Sequence, residues 1–311
     1  MAKNTRAGIA FDGSSAGLAR VRRLGGGRRS LAIRVVETDE SDQVWPDRAA
    51  SCVADMALQQ TPVSTVLSRQ AYQLQLVEKP NVPAEELLAA VRWRLKDLID
   101  FPLDEAVVEL LEMPRNANAG SASMAYAVVT RHSEVMRQID VMQRADLKMD
   151  VIDIPELCMR NIAILLPEDA YGVAFLHFTE ECGYLTITRK GVLYLTRRLK
   201  TGRRELTAPA DDFTSQERIA GIALEVQRSL DYYESHFDCQ PITEIALGPG
   251  TDLDALPAAL KQHLGLSVNE IKLADLFNLE DDWSTDQQGN CLLAIGAALR
   301  SDAPTRAAVS R

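Results

Sequence analysis

Three short stretches of the sequence carry small or acidic residues of the kinds that bind phosphate. They are Gly8–Ser15, which contains Asp12-Gly13, then His177–Glu180, and finally Gly248-Pro249-Gly250. Small residues let backbone N–H groups approach phosphate oxygens. An aspartate in such a turn can hold a metal ion or position an attacking water. If the fold brings these stretches together, they indicate a phosphate site.

Each stretch also has a purely structural interpretation. Asp12 could hold Mg²⁺, or it could form or cap a turn, which is a common use of aspartate. His177 could act as a base, or it could be a buried histidine beside a cleft. The Glu180–Glu181 pair could exchange protons, or it could be the polar tip of a hairpin. Gly248–Gly250 could contact a nucleotide, or it could end a strand and cap the next helix.

The elements that would position these stretches repeat along the chain. Apolar residues at spacings typical of strands and helices predict the order β-β-β-α-β twice. The first copy comprises Gly8–Phe11, Gly17–Arg22, Ser30–Glu37, Arg48–Leu58 and Val63–Leu67. The second comprises Val173–Phe178, Gly183–Thr188, Val192–Arg197, Ser215–His236 and Ile242–Leu247, followed by Asp252–His263, Ser267–Ile271 and Cys291–Leu299. This repeat predicts two similar α/β lobes.

The segment between the two copies has the order β-α-β-β-α-β, which is the split βαβ arrangement. Its elements are Tyr72–Val77, Ala84–Ile99, Ala106–Glu112, Met124–Thr130, Ser133–Ala145 and Met149–Ile154. We therefore predict a first lobe at residues 1–70, with residues 155–171 and 291–300 packing back on it. An inserted ferredoxin-like βαββαβ subdomain would occupy residues 71–154, and a second lobe residues 172–290. The Ala/Ser/Arg-rich tail at 301–311 is expected to be disordered.

Composition excludes several classes of function. The 311 residues are 46% hydrophobic and 25% charged, as in ordinary globular proteins. The net charge of −10 argues against a broadly basic nucleic-acid binder, which needs clustered Lys and Arg. One basic cluster, Arg20–Arg29, surrounds Gly25-Gly26-Gly27. It is either a solvated hairpin loop or a contact for phosphate or anionic lipid.

Cysteine spacing and hydropathy limit the cellular compartments in which we expect the chain. The five cysteines lie far apart and form no CxxC pair, which argues against a disulfide framework and a zinc site. Met1–Arg6 contains no long apolar run, so we expect no signal peptide. Apolar stretches such as Ile162–Pro167 are far shorter than the ~20 residues that span a bilayer. We therefore expect a cytoplasmic protein that reaches a membrane through a partner or a surface.

The duplicated lobe resembles the plan of the sugar-kinase, Hsp70 and actin ATPases. In that plan the first hairpin turn of each lobe and a third glycine-rich turn meet the nucleotide. Three stretches are similar, more narrowly, to the PilM/MshI family of type IV pilus assembly, namely Val91–Asp104, Glu225–Tyr233 and Ala294–Arg300. The resemblance spans about residues 7–300, and the weak nucleotide motifs are most similar to the MshI branch, which serves the MSHA pilus.

This resemblance implies duplicated actin-like (ribonuclease H-like) lobes and a scaffold role in pilus assembly. The partner would be a bitopic inner-membrane protein, PilN-like or MshJ-like, whose cytoplasmic peptide docks between the first lobe and the inserted subdomain. The secretion ATPase would be a further partner. The resemblance implies that Trp93, Leu95 and Phe101 contact the partner. The helix that contains Trp93 and Leu95 carries more apolar residues than one core stripe needs. The alternative is a core helix with one extra aromatic residue.

Departures from the family pattern predict that hydrolysis has been lost. The family's first-turn aspartate falls on Ala10, and His177 and Thr179 occupy the aspartate and glycine positions of the second turn. A side chain there obstructs a phosphate, and Pro249 removes an N–H donor. We therefore expect no catalytic residue, no bound metal and no cofactor. The alternative is a switch driven by ATP with Mg²⁺, with the nucleotide bound by Asp12, Gly13, Ser14, Ser15, Gly248 and Gly250.

Two other relatives of the actin plan fit less well. An actin-like cell-division protein would carry an amphipathic helix at its C-terminus, and Ser301–Arg311 has no bulky apolar residues apart from Val309. A cytoplasmic domain of a type II secretion system would continue into a transmembrane helix, which this sequence is not expected to contain.

Overall fold

A computed structural model describes residues 4–38, 44–114, 123–209, 212–237, 239–250 and 255–300. The strands are β1 Thr5–Asp12, β2 Ser15–Arg23, β3 Arg29–Glu37, β4 Val63–Val66, β5 Tyr72–Glu78, β6 Ala106–Glu112, β7 Met124–Arg131, β8 Met149–Asp153, β9 Val173–Phe178, β10 Gly183–Arg189, β11 Val192–Leu199, β12 Glu244–Leu247, β13 Ser267–Glu270 and β14 Asn278–Leu279. The helices are α1 Trp45–Asp55, α2 Ala84–Leu95, α3 His132–Arg144, α4 Pro155–Ala163, α5 Arg203–Thr207, α6 Asp212–His236, α7 Ala255–Leu264, α8 Leu273–Leu276, α9 Thr285–Asn290 and α10 Leu292–Ala298. The predicted α/β class is confirmed.

Two sheets form the two lobes. The first has the strand order β14-β3-β2-β1-β4-β8, and the second has the order β11-β10-β9-β12-β13. In each sheet the first strand of the repeat is antiparallel to its hairpin partner and parallel to the strand after the helix, as β1 is to β2 and β4. β9 stands in the same relation to β10 and β12. The repeated β-β-β-α-β order in the sequence therefore corresponds to two similar sheets.

Helices α4 and α10 form the layer between the two sheets. Every residue of α10 is buried, as expected for a helix that is apolar on all sides. The backbones approach closely here, because a side chain at Gly8 of β1 would collide with the backbone of Ala294. A side chain at Gly296 would collide with the backbone of Cys158 in α4. Only glycine permits both contacts.

The outer face of the first sheet is covered by α1 and α3. Trp45 and Val53 of α1 share a buried cluster with Val141 and Met142 of α3. All four side chains are at most 2% exposed. Helix α3, which lies within the predicted inserted subdomain, is therefore part of the first lobe.

The inserted subdomain is smaller than predicted. Its sheet has three strands, in the order β5-β7-β6, and α2 packs on one face of it. The fourth strand expected there, Met149–Ile154, is β8, which pairs in parallel with β4 through partners such as Thr65 and Ile152. The four-stranded ferredoxin-like sheet at 71–154 is therefore not formed. The element order is as predicted, but β8 extends the first lobe's sheet and α3 is the helix that leads to it.

The inserted subdomain also contacts the second lobe. The backbone N–H of Thr196 in β11 donates to the Tyr126 hydroxyl of β7 at 3.3 Å. Beside it, the Tyr72 hydroxyl donates to the buried Glu156 carboxylate at 2.6 Å, and Arg198 Nη2 lies 3.4 Å from the same carboxylate. Burial raises the pKa of Glu156, and these two partners oppose that rise. One network thus joins β5, α4 and β11.

The chain returns to the first lobe earlier than residue 291. Asn278 and Leu279 form β14, which pairs in parallel with β3. The predicted tail at 301–311 and the first residues of the helix predicted at Asp252 lie outside the described residues. Within the described segments, none of the helices combines the length and apolarity needed to cross a bilayer.

The placement of α3 predicts unequal effects of two identical substitutions. Met142 is fully buried and Met136 on the same helix is 48% exposed. Met142→Ala should lower the free energy of unfolding by about 2–5 kcal/mol, because it removes buried methylenes and leaves a cavity. Met136→Ala should change it by less than about 0.5 kcal/mol. Urea denaturation measures both, and equal effects would contradict the packing of α3 on the first lobe.

Candidate functional site

The carboxyl ends of the parallel strands from both lobes meet at one side of the molecule. Asp12 ends β1, Thr179 follows β9, and Gly248 follows β12. In α/β sheets of this kind, ligands bind outside the carboxyl ends of the strands. The three stretches singled out in the sequence therefore do converge.

A cleft of about 590 Å³ lies between the two lobes at this point. We call it the interlobe cleft. It is lined by Asp12, Ser14, Ser15, Glu37, Thr38, Glu180, Arg203, Thr207, Gly250, Asp286 and Asn290. Four of the six predicted nucleotide-binding residues line it, namely Asp12, Ser14, Ser15 and Gly250. Gly13 lies in the turn beside them with φ +58°, and Gly248 is buried beneath the cleft.

The Asp12 carboxylate does not face the cleft freely, because it is engaged by the second lobe. Its two oxygens accept a hydrogen bond from the Glu180 backbone N–H at 2.9 and 3.0 Å. Arg203 Nη2 donates to Oδ2 at 3.1 Å. The Asp12 and Arg203 side chains are only 12% and 9% exposed. We call Asp12, Glu180 and Arg203 the Asp12 cluster.

Arg203 is held in place by the turn between β9 and β10. Its backbone N–H donates to the Thr179 carbonyl at 2.8 Å, and its Nη2 lies 3.8 Å from the Glu180 carboxylate. Its Nη1 lies 3.7 Å from Asp286 Oδ1, which is an ion-pair distance. The guanidinium is therefore surrounded by three carboxylates, and among the described residues that line the interlobe cleft it supplies the only positive charge.

Burial and pairing act against each other on Asp12. Burial raises the pKa of the carboxyl above its ordinary value, while Arg203 and the Glu180 N–H lower it. The proximity of the Glu180 and Glu181 carboxylates raises it further. The Asp12 carboxylate would therefore repel a further anion. The cation that it would attract is already present, because Arg203 pairs with it.

His177 is buried beneath Gly248 and is not exposed to the cleft. The ring is 1% exposed, and its Nδ1 has no hydrogen-bond partner among the described residues. A Cβ on Gly248 would lie 2.6 Å from that nitrogen. Burial, with a smaller contribution from Arg203, lowers the pKa of His177 to about 3. His177 is therefore a neutral core residue, and the structural interpretation of this position fits better than a catalytic base.

A second cleft, of about 710 Å³, lies on the other side of the Asp12–Ser14 turn. We call it the lateral cleft. The first lobe and the start of the inserted subdomain form one wall, with Phe11, Asp12, Gly13, Ser14, Val66, Leu67, Ser68, Arg69, Gln70, Ala71, Glu134 and Arg137. The facing residues are Pro155, Thr179, Glu181, Cys182, Tyr184, Arg204 and Leu293.

The residues predicted to contact a partner are divided by the structure. Trp93 is 72% exposed on the outer face of α2. Leu95 is fully buried in the core of the inserted subdomain, so its assignment to a partner surface is wrong. Phe101 is partly buried, and the Arg131 guanidinium lies over its ring at 4.2 Å. Only Trp93 of the three presents a large apolar surface to solvent.

The remaining charged candidates are engaged in ordinary ion pairs. Glu180 pairs with Arg204 at 3.2 Å, and Glu181 points to the lateral cleft, so the two acids serve different surfaces. In the basic cluster, Arg20 and Arg22 pair with Glu280 at 2.7 and 3.8 Å. Within the described part of the chain, no group of three or more potential ligands could hold a metal ion.

The sequence analysis missed the most important residues of the interlobe cleft. Arg203, Asp286 and Asn290 come from loops and short helices that carry no pattern of their own. Arg203 is one of two adjacent arginines after a strand, and nothing local distinguishes it from Arg204. Only the packing of the two lobes brings it to Asp12.

The low pKa of His177 predicts how stability depends on pH. The unfolded chain takes up a proton near pH 6.5 and the folded chain only near pH 3, so lowering the pH favours unfolding. The free energy of unfolding should therefore fall by about 1.4 kcal/mol through this group when the pH is lowered from 7.5 to 5.5. His177→Asn should remove that part of the pH dependence, measured by urea denaturation at both pH values. The exposed His263→Asn is the control, and an unchanged slope in His177→Asn would contradict the buried neutral ring.

Comparison with known sequences adds no relative. No model of a known protein family matches the chain. No curated protein sequence matches it either.

Comparison with solved structures does find similar folds. A chain in a structure described as the PilM–PilN type IV pilus biogenesis complex superposes with a TM-score of 0.72 at 20% identity, covering 96% of this chain and 99% of that one. The cytoplasmic domain of EpsL, an inner-membrane component of the type II secretion system of Vibrio cholerae, matches with a TM-score of 0.52 at 11% identity and 94% coverage of both chains. A Bacteroides thetaiotaomicron protein described as having an actin-like ATPase fold and unknown function matches with a TM-score of 0.51 at 10% identity, covering 94% of this chain and 96% of that one. The chain therefore has the actin-like ATPase fold, and its resemblance to PilM is confirmed at the level of the fold.

Proposed function

We propose that this protein is a cytoplasmic scaffold of a type IV pilus assembly complex. It would bind the cytoplasmic segment of a bitopic inner-membrane partner and would thereby lie at the inner membrane. The proposal is supported by the fold shared with a chain of the PilM–PilN complex. The resemblance of the sequence to the MshI branch favours an MSHA-type pilus, a PilN-like or MshJ-like partner, and a further contact with the secretion ATPase.

The observation that carries the proposal is the lateral cleft. It is formed by the first lobe and the start of the inserted subdomain, where the segment Val66–Ala71 leads from one to the other, together with second-lobe residues such as Glu181 and Arg204. Its volume of about 710 Å³ exceeds that of the interlobe cleft. A cleft of this size, lined by both lobes and by the start of the inserted subdomain, can accept part of a short extended peptide.

The lining of the lateral cleft indicates what such a peptide would present. The partly exposed Phe11 supplies apolar surface, and the mostly buried Leu67 and Leu293 lie in the wall behind it. Arg69, Arg204 and Glu181 also line the cleft, so the lining carries both signs of charge. We therefore infer a peptide with an apolar anchor flanked by polar or charged residues.

A substitution that fills the lateral cleft tests the proposal without assuming the charge of the peptide. Ser68 lines the cleft, and Ser51 is an exposed serine on α1 that does not line it. Calorimetry with the synthetic cytoplasmic N-terminal peptide of the PilN-like protein of the same organism should show binding to the wild type. Ser68→Trp should weaken it at least tenfold, about 1.4 kcal/mol, and Ser51→Trp should leave it unchanged.

The exposed Trp93 provides a second arm of the same experiment. Trp93→Ala should keep the wild-type affinity if the peptide lies in the lateral cleft. If Trp93→Ala loses binding while Ser68→Trp keeps it, the docking site would be the outer face of α2 and not the lateral cleft. No binding to the folded wild type would refute the scaffold proposal.

We further propose that the interlobe cleft does not hydrolyse ATP. A triphosphate with Mg²⁺ needs a free carboxylate for the metal and N–H donors or cations for the phosphates. Asp12 is already bonded to Glu180 and Arg203. The described part of the lining offers four carboxylates, those of Asp12, Glu37, Glu180 and Asp286, against one guanidinium. The residues present therefore do not fit Mg–ATP, which weighs against the alternative of a nucleotide-dependent switch.

Thermal unfolding with nucleotide distinguishes the two functions. A ligand at about 100 times its Kd would add about 2.7 kcal/mol to the stability of the folded state. We expect no change in Tm when millimolar Mg–ATP is added, relative to Mg²⁺ alone and to ATP with a chelator. A Tm that rises steadily with ATP concentration only when Mg²⁺ is present would favour the nucleotide-dependent switch.

A further inference from the structure

The two clefts share one wall. Asp12 and Ser14 line both the interlobe cleft and the lateral cleft, so the turn that ends β1 separates them. The first lobe supplies this turn. The second lobe supplies Glu181 and Arg204 to the lateral cleft and Glu180 and Arg203 to the interlobe cleft. Any movement of the lobes relative to each other would change the width of both.

The Asp12 cluster bridges the lobes at this shared wall. Asp12 belongs to the first lobe, while the Glu180 N–H and the Arg203 guanidinium belong to the second. The carboxylate accepts from two donors, the Glu180 N–H, which is shared by both oxygens at 2.9 and 3.0 Å, and Arg203 Nη2 at 3.1 Å. The acceptor is charged in both interactions, and the donor is charged in the second. Such bonds are about twice as strong as neutral ones.

Arg203 is tied to the second lobe independently of Asp12. Its N–H donates to the Thr179 carbonyl at 2.8 Å, and the next residue, Arg204, donates to the Glu180 carbonyl at 3.1 Å. The start of α5 and the β9–β10 turn therefore move as one unit. Arg203 lines the interlobe cleft and is not among the residues that line the lateral cleft. Its guanidinium is linked to the lateral cleft through Asp12, whereas its backbone bond to Thr179 does not depend on the side chain.

We propose that the Asp12 cluster sets the width of the lateral cleft and thereby regulates docking of the partner peptide. The inference rests on the proposed docking function. The cluster consists only of the chain's own side chains and backbone, and it holds the edges of the two lobes together at the shared wall, in addition to the buried core that joins the lobes. Arg203 is a positioning residue in this arrangement, because it acts through Asp12 and does not touch the peptide.

The physical reason is preorganisation. With the ion pair intact, Phe11–Ser14 and Glu181–Tyr184 face each other at a fixed separation. Removing the guanidinium leaves the Asp12 carboxylate buried with one backbone donor, which favours conformations in which the lobes separate and water reaches it. Only the fraction of molecules that retains the narrow lateral cleft then binds, and the apparent Kd rises by the inverse of that fraction.

The test compares two arginine substitutions. Arg203→Met removes the charge but keeps the aliphatic bulk, and Arg228→Met makes the same change at an exposed site on α6 that pairs only with Glu225 among the contacts described. Two readouts are measured in the full-length protein. The first is the Kd for the cytoplasmic N-terminal peptide of the PilN-like protein. The second, without peptide, is hydrogen exchange of the Glu180 amide.

We expect Arg203→Met to accelerate exchange at Glu180 at least tenfold and to raise the Kd at least tenfold, with Arg228→Met like the wild type in both. Peptide binding by the wild type with a Kd that changes less than twofold in Arg203→Met would overturn this inference and leave the docking proposal intact. No binding to the wild type would overturn both. If Arg203→Met does not fold, Arg203→Lys replaces it under the same thresholds, because lysine keeps the charge but not the planar reach to Asp12.

Discussion

The close packing of α10 against both β1 and α4 is the constraint on which the rest of the molecule depends. Gly8 and Gly296 allow the backbones to approach to distances that any side chain would prevent. Because this helical layer is shared, one buried cluster contains residues of both sheets, including Ile33 of β3 and Phe175 of β9. The two lobes are therefore joined along a common core, and the carboxyl ends of β1 and β9 face each other across a narrow gap.

Internal contacts engage the polar groups at the gap between the lobes. His177 packs neutral beneath Gly248, and Arg203 pairs with Asp12. Arg203 thus supplies a positive charge there from the chain itself. The interlobe cleft, of about 590 Å³, and the lateral cleft, of about 710 Å³, share the turn at Asp12 as a wall.

Much of the fold was predictable because it is encoded locally. The strands that contain Asp12 and His177 are short and mostly apolar, and α10 is apolar throughout. The pairing of β8 was not predictable, because an edge strand of five residues, Met149–Asp153, carries no signal for its partner. Its position after three strands and two helices of the inserted segment fits both the inserted sheet and the first lobe. Burial of Met142 against Trp45 decides between them.

The candidate site was predictable only in part, for a related reason. Asp12 and Gly250 could be singled out because turns have compositional signatures. Arg203 has none, since its role depends on a carboxylate 191 residues away. The prediction that Leu95 contacts a partner is wrong for a different reason. Leu95 lies two residues from the exposed Trp93, but the geometry of the helix turns its side chain into the core.

The contact between the inserted subdomain and β11 limits how freely this module can be exchanged. The insertion begins and ends in the first lobe, yet the Tyr126 hydroxyl accepts a hydrogen bond from Thr196, and Tyr72 shares Glu156 with Arg198. β11 is an edge strand of the second sheet, and this contact covers part of it. If the inserted segment of this protein were replaced by an unrelated one, the edge of β11 would lose this cover. The buried Glu156 would lose its hydrogen bond from Tyr72 and would keep the Arg198 guanidinium as its partner. An exchange that keeps these contacts would have to include β11, although more than 60 residues separate β11 from the inserted subdomain in the sequence.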